Sequence, residues 1–209
     1  MNRIDIINSL IKKNNYKSYL EVGVQAGHCF NAINCEYKAG VDPDKSSAAT
    51  FHQSSDEFFN DLKNNPNWKD VTTGQQFKFD ICFSDGLHHA DQSERDINNM
   101  IDCLNDGGAI VCHDMLPTSK RMQEIPLQEQ VEWTGDVWRS WLKLRSTRAD
   151  LSMYCINTDW GTSIIKKGSQ QLITLPKPVE EITYEDWNAN KQEWMNIISV
   201  EEFSKLFLQ

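Results

Sequence analysis

No apolar stretch of this 209-residue chain approaches the roughly 20 residues that a membrane span needs. Its opening, Met1-Asn2-Arg3-Ile4-Asp5, is not followed by the apolar region of a secretory signal. The cysteines at 29, 35, 82, 103, 112 and 155 include no C-x-x-C pair, which argues against a zinc ribbon or a thioredoxin-type site. Several lie inside apolar runs and read as reduced core thiols of a cytoplasmic protein. Positive charge is also scarce: the net charge of −9 argues against tight binding to long nucleic acids, whose affinity comes from Lys and Arg on phosphates. Basic residues gather only loosely, at Arg139, Lys143, Arg145 and Arg148, and read as one solvated helix face. Internal repeats and low-complexity tracts are missing, and nothing marks a second domain. A G-x-G-x-x-G fingerprint is missing too: counting from Gly23, the required positions hold Gln25 and His28.

What is present is a run of strands alternating with helices. Ile4, Ile7 and Ile11 repeat at helical spacing and predict a helix over 2–14. Strands are predicted at 17–22, 37–42, 49–52, 79–85, 109–113, 151–157 and 162–166, the last two joined by the turn Thr158-Asp159-Trp160-Gly161. Helices are predicted at 28–34, 55–64, 91–106 and 136–148. The second of these has Ser55 or Asp56 as its cap, and the third has Asp91 and Glu94 as a capping box. A long loop covers 115–135, and two short helices close the chain, the last opened by Ser199 with Glu202. The expected fold is α/β: a Rossmann-like, doubly wound, mostly parallel seven-stranded sheet with an antiparallel edge strand and helices on both faces. One domain over 1–209 is expected, with its core at about 17–167 and a helical tail at about 177–209.

Ligands of such sheets bind beyond the carboxyl ends of the strands. The concentrated polar chemistry of the sequence falls there: Glu21 to Gly27, Asp42, Ser54 to Asp56, Asp85 to His89 and His113-Asp114. Glu21 beside the Gly23–Gly27 turn would repel a diphosphate. It suits a ligand with an ammonium group and a sulfonium, and S-adenosyl-L-methionine carries both without any phosphate. Asp42, 19 positions after Gly23, then offers a carboxylate to both ribose hydroxyls.

Five segments in order carry a resemblance: Glu21-Val22-Gly23-Val24-Gln25-Ala26-Gly27; Gly40-Val41-Asp42-Pro43; Ser55-Asp56-Glu57-Phe58-Phe59; Ser84-Asp85-Gly86-Leu87-His88-His89; and Val111-Cys112-His113-Asp114. Together they resemble class I S-adenosylmethionine-dependent methyltransferases. Within these they are similar to the small branch of catechol-type and macrolide-sugar O-methyltransferases, as is Trp133-Thr134-Gly135-Asp136-Val137-Trp138. The resemblance covers about 17–167. It implies that Glu21, Gly23, Val24, Gln25 and Gly27 frame the methionine part, that Asp42 holds the ribose, and that Ser55 or Asp56 lies near the adenine, with Asp85 beside the cofactor. It further implies a divalent cation on Asp85, His113 and Asp114. Relatives more often place an oxygen ligand where His113 stands, which leaves open magnesium, a transition metal or none.

Methyl transfer to oxygen needs a hydroxyl made nucleophilic, by a cation or by a base. His88 and His89 are the base candidates, with Asp85 completing the catalytic set. Trp133, Trp138 and Trp160 could stack on a sugar face, although Trp138 and Trp141 at helical spacing read as core. The expected activity is O-methylation of a small hydroxylated metabolite such as a sugar or sugar-linked compound, without nucleic acid or membrane partners and with a homodimer left open. The competing readings are a metal-dependent hydrolase or hydroxylase on the same fold, and a non-catalytic module that binds S-adenosylmethionine.

Overall fold

The computed structural model describes residues 1–69, 74–127 and 132–209. Helix α1 (Arg3–Asn14) buries Ile6, Ile7, Leu10 and Ile11 along one stripe, and Asn2 and Asp5 close a capping box at its start. Strand β1 (Ser18–Val22) is buried throughout, as expected of a central parallel strand. After the glycine turn come α2 (His28–Ala32), β2 (Tyr37–Val41), α3 (Ser55–Asn64), β3 (Phe79–Ser84), α4 (Ala90–Asp102) and β4 (Leu104–Cys112). Then follow α5 (Trp138–Thr147), the hairpin of β5 (Leu151–Ile156) and β6 (Ser163–Lys167), α6 (Tyr184–Trp194), the two-residue β7 (Ile197–Ile198) and α7 (Val200–Phe207).

Among the described residues the sheet has seven strands in the order β2-β1-β3-β4-β6-β5-β7. β2, β1, β3 and β4 are mutually parallel, β6 runs antiparallel to both β4 and β5, and β7 pairs parallel with β5. Alternate side chains feed two cores. Leu20, Cys82 and Ile110 pack under Phe58, Met100, Trp138 and Trp141, which come from α3, α4 and α5. Tyr19, Ile81, Phe83 and Val111 face Ile6, Ile7, Phe30 and Phe203, from α1, α2 and α7. Trp138 and Trp141 are fully buried, as their spacing predicts, and all six cysteines are free thiols.

Four expectations change. Residues 49–52 do not form a strand: Phe51 makes one isolated bridge to Val41, and the Thr50 hydroxyl takes the Gly40 N–H at 2.8 Å. The segment returns too soon after β2 for a true parallel strand, which needs a crossover of a dozen residues or more. The seventh strand is instead β7, in the tail. Asp106-Gly107-Gly108 does not end a helix. The helix stops at Asp102 and the chain enters β4 at Leu104, with Gly107 at φ +79° where the register against β3 shifts.

Asp91 is not a cap either. The helix starts at Ala90, and the N–H of Ala90 donates at 2.8 Å to the carboxylate of Asp136, so the cap comes from a distant segment. α5 begins at Trp138 rather than Asp136, after a turn in which the Arg139 N–H donates to the Asp136 carbonyl oxygen at 3.0 Å. Lastly, α3 is capped by Ser54 with Glu57, not by Ser55 or Asp56.

Candidate active site

The sheet order reverses direction between β1 and β3, and this places a crevice at their carboxyl ends. Val41, Val22, Ser84 and Cys112 stand in one register row across β2, β1, β3 and β4. The next residues continue the ladder: Gly23 N–H donates to Val41 O at 2.9 Å, Asp85 N–H to Val22 O at 2.9 Å, and His113 N–H to Ser84 O at 3.1 Å. Parallel pairing therefore lines up Asp42, Gly23, Asp85 and His113 at one level.

The Gly23–Gly27 turn lies at the β1 end of that row. Gly23 has φ +92°, and a Cβ there would fall 1.9 Å from the carbonyl oxygen of Asp85. The two strand tips touch backbone to backbone, which only glycine permits. Asp42, 7% exposed, holds this turn from the side: its Oδ2 accepts the Gln25 N–H at 2.8 Å and its Oδ1 the Asp44 N–H at 2.9 Å. Glu21 is 1% exposed and accepts a hydrogen bond from the Tyr19 hydroxyl. Burial pushes its carboxyl up to about 7; the Tyr19 bond opposes the rise and the charge of Asp85 adds to it. Val24 is buried beside Phe30 in the core under α2.

Beyond β3 and β4, four side chains converge. His88 Nε2 lies 3.3 Å from Asp85 Oδ1 and 3.3 Å from Asp114 Oδ2. His113 Nδ1 lies 3.5 Å from Asp85 Oδ1 and 3.2 Å from Asp114 Oδ2. One ligand atom each from Asp85, His113 and Asp114 falls within a 4.8 Å group that could hold a metal ion. Asp114 takes its place with φ +62°, a left-handed conformation that turns the chain directly after His113.

Burial alone would raise the Asp85 carboxyl, but contact with His113 and His88 holds it well below the usual carboxylate range. Burial works against a charged His113, yet Asp114, Asp159 and Asp85 pull it up to about 11. His88 is likewise raised: burial opposes this, and Asp85 and Asp114 outweigh it. Even so, His113 Nδ1 is buried and meets neither carboxylate at a hydrogen-bonding angle. That nitrogen faces the carboxylates of Asp85 and Asp114, the two oxygen donors of the group. The donor set of one imidazole and two carboxylates suits a transition metal better than magnesium, which prefers oxygen ligands in an octahedron.

Two participants carry no signal in the sequence motifs. Arg3, at the first turn of α1, reaches in from the other end of the chain: its Nη1 lies 2.9 Å from His113 Nε2 and 3.1 Å from both oxygens of Asp159. Asp159 also accepts the Arg3 backbone N–H at 2.8 Å and lies 3.5 Å from His113 Nε2. It belongs to the β5–β6 turn, read from sequence as a plain hairpin. There Asp159, Trp160 and Gly161 have φ of 47°, 53° and 88°, three left-handed residues in a row that aim Asp159 at the site. Trp160 stands 6.2 Å from the His113 ring, and Trp133 5.2 Å from the His88 ring. A cleft of 280 Å³ opens between these indoles onto the cluster, lined also by Arg3 and Gln25.

The structure separates the two adjacent histidines. His88 joins the cluster, its Nδ1 held 3.0 Å from the Trp133 carbonyl oxygen. His89 lies across the Trp133 ring, in a 450 Å³ cavity with Asp136 and Arg139. Ser55 is buried and accepts from Gln92 Nε2 at 3.0 Å, while Asp56 stands at the surface near Arg95, 3.6 Å away. The basic cluster is internally paired: Arg139 with Asp136, Lys143 with Glu94, and Arg148 with Asp150, while the buried Arg145 donates to the Trp194 carbonyl.

Residues 20–115 match a family described as a methyltransferase domain. No curated protein matches the sequence. Among solved structures, an O-methyltransferase from Bacillus cereus in complex with SAH superposes with a TM-score of 0.56 at 11% identity, covering 78% of each chain. The O-methyltransferase TomG from Streptomyces achromogenes, in complex with SAM, gives 0.55 at 12% identity over 80% of each chain. The methyltransferase PaMTH1 from Podospora anserina, bound to SAH, gives 0.52 at 14% identity over 80% of this chain and 78% of its own. At such identities the likeness is one of fold.

Proposed function

We propose that this chain, whose residues 20–115 match a methyltransferase domain and whose fold is that of O-methyltransferases solved with SAH or SAM, is an S-adenosylmethionine-dependent methyltransferase that acts on a hydroxyl oxygen of a small acceptor, a sugar or sugar-linked compound. The observation that carries this reading is the single register row in which Asp42, the Gly23 turn, Asp85 and His113 stand side by side at the switch point. S-adenosylmethionine, when bound, supplies an electrophilic methyl on its sulfonium. Around it the chain's own residues divide the work. Glu21 faces the ammonium group, Gly23 to Gly27 provide a turn without side-chain obstruction, and Asp42 accepts from the ribose hydroxyls. Of the two adenine candidates Ser55 is the buried one, while Asp56 pairs with Arg95 at the surface.

The acceptor hydroxyl is placed at Asp85, His88, His113 and Asp114, where a cation, when bound, would stabilise the developing alkoxide, or His88 would take the proton. Of the two histidines the cluster contains His88, so the proton role falls to it rather than to His89. Trp133 and Trp160 flank the cluster as flat apolar walls, and this arrangement supports a sugar face as the acceptor. Positioning the hydroxyl between them supplies part of the rate, since orientation alone is worth up to about 7–11 kcal/mol.

The direct test is calorimetry with S-adenosylmethionine, adenosylhomocysteine and a nicotinamide dinucleotide. Binding of the first two and not the third is expected; the reverse order, or none, overturns the reading.

Glu21 adds a pH signature. Its folded-state value of about 7 lies above the ordinary 4.5. The folded chain therefore keeps a proton that the unfolded chain has released, and Glu21 subtracts stability as pH rises through that window. An ammonium ligand needs the ionised form, so binding releases this proton. Adenosylhomocysteine affinity is expected to be about tenfold weaker at pH 6 than at pH 8, with proton release measurable in buffers of different ionisation enthalpy. Glu21→Gln should abolish the proton release; an unchanged profile in that variant would remove Glu21 from the ammonium site.

A further inference from the structure

We propose that Tyr19 is a positioning residue for the cofactor: its hydroxyl fixes the Glu21 carboxylate in the orientation that receives the ammonium group, and so makes the site specific for nucleosides that carry an amino-acid tail. The proposal deepens the reading above, on which it rests for the role of Glu21.

Residues two apart on a strand share a face, so Tyr19 and Glu21 of β1 both point to the side covered by α1 and α2. Tyr19 is fully buried there in a cluster with Ile6, Ile7, Phe30 and Phe83, where an apolar side chain would serve packing alone. Tyrosine adds a hydroxyl, and a buried hydroxyl needs a partner. It donates to Glu21 Oε2, and the Cys29 thiol of α2 stands 3.9 Å from it. Burial and the neighbouring Glu21 charge hold the Tyr19 hydroxyl well above its ordinary range, so the phenol keeps its proton and remains the donor.

The last torsion of a glutamate is otherwise broad. A charge-assisted bond from a buried ring therefore decides which way this carboxylate faces. The ring is itself held, stacked on Phe30 of α2 with centroids 6.3 Å apart and 28° between the planes. A carboxylate has two acceptor oxygens, and Tyr19 takes one. The ammonium group takes the other, two residues before Gly23 opens the cofactor turn.

The same bond favours the ionised carboxylate. Burial raises Glu21, and the Tyr19 hydroxyl is the strongest influence against that rise. The other groups that act on Glu21 are Cys29 from α2, Arg3 from α1 and Asp85 beyond β3. Arg3 and Asp85 act by charge alone, Arg3 against the rise and Asp85 with it, and the Cys29 thiol opposes it by hydrogen bonding. Without the Tyr19 hydroxyl, Glu21 holds its proton to higher pH, and the form that an ammonium ligand needs becomes scarcer at neutral pH.

The experiment compares adenosylhomocysteine with methylthioadenosine, which has the same adenine and ribose but no amino acid, by calorimetry on the full chain. Tyr19→Phe removes one oxygen and keeps the ring, and circular dichroism with a melting curve confirms that it is folded. It is expected to weaken adenosylhomocysteine about tenfold at about pH 7 and to leave methylthioadenosine within about twofold. The midpoint of the pH dependence of adenosylhomocysteine affinity should move to higher pH, so the gap from wild type narrows toward about pH 9. On a Glu21→Gln background, Tyr19→Phe should change neither affinity further, because the hydroxyl acts only through the carboxylate. That double variant also carries no unpaired buried charge.

Equal weakening of the two nucleosides overturns the proposal, since a merely structural role would not distinguish them. So does an unchanged adenosylhomocysteine affinity in folded Tyr19→Phe, or an undiminished loss on the Glu21→Gln background. These outcomes, with both nucleosides bound by the wild type, sink the Tyr19 role alone. A wild-type chain with affinity for neither nucleoside sinks the methyltransferase reading, and the Tyr19 role falls with it.

Discussion

Replacing Asp42 by alanine is expected to weaken S-adenosylmethionine and adenosylhomocysteine binding by about 100-fold or more, the largest affinity loss from any single carboxylate of the site. The physical argument has two parts. The first is direct: hydrogen bonds from both ribose hydroxyls to a charged acceptor are worth about 1.5–3 kcal/mol each, and 1.4 kcal/mol is tenfold in affinity. The second is indirect. Asp42 already accepts the N–H of Gln25 at 2.8 Å and of Asp44 at 2.9 Å, so its removal also frees the turn that follows β1. Asp42→Asn keeps the shape and one acceptor oxygen, and an intermediate loss of about tenfold is expected. Calorimetry with adenosylhomocysteine reads both variants, and wild-type affinity in Asp42→Ala would take the ribose away from this carboxylate.

The reason so much of this crevice was legible in the sequence is that parallel strands end in register. Once Lys17–Val22, Tyr37–Asp42 and the apolar run ending at Asp85 are read as neighbouring strands, Asp42, Gly23 and Asp85 must come together, whatever the helices do. The signal is local, a short apolar run followed by a polar residue, and the sheet converts it into proximity. Alternating burial set the two cores in the same way, and Trp138 and Trp141 followed from helical spacing.

What could not be read depends on contacts across long sequence separations. Arg3 meets His113 over 110 positions and Asp159 over 156, and nothing in either local context announces the pairing. The cap of α4 was sought at Asp91, the second residue of the helix, whereas Asp136 supplies it from 46 positions away. The segment 49–52 has strand-like composition, but a single bridge at Phe51 is all the available chain length allows. The Asp106-Gly107-Gly108 run has the composition of a helix stop, and the structure uses it as a shift of register inside β4, where Asn105 is tied to Asp80 at 2.8 Å. His88 and His89 look equivalent as letters. The extended segment that leads into α4 at Ala90 puts one into the cluster and the other across an indole ring. Even so, the grouping of Asp85, His113 and Asp114 is visible in the sequence, and only the approach of His88, whose Nδ1 lies 3.0 Å from the Trp133 carbonyl oxygen, required coordinates.

The other large effect is structural and comes from Gly23. Gly23→Ala places a methyl group 1.9 Å from the Asp85 carbonyl oxygen and 2.7 Å from Gly86 Cα, so the tips of β1 and β3 must part. These atoms are backbone on both sides, and no rotamer change relieves the overlap. The residue also sits at φ +92°, where an L side chain costs about 1–2 kcal/mol before any clash is counted. A total loss of about 4 kcal/mol is expected, which for a chain of this size lowers Tm by about 8–16 °C.

Gly107→Ala separates the two contributions. It has a comparable φ of +79°, yet a Cβ there meets nothing within 4 Å, so its loss should stop at about 1–2 kcal/mol. A melting experiment on the pair therefore measures the backbone contact between the two strand tips. Because Asp85 rides on the displaced tip, the Gly23 variant should also lose adenosylhomocysteine binding, while the Gly107 variant keeps it. Equal melting losses in the two variants would mean that conformational strain accounts for the whole effect, and the close approach of β1 and β3 would then not be what holds the cofactor turn against the Asp85–His113 cluster.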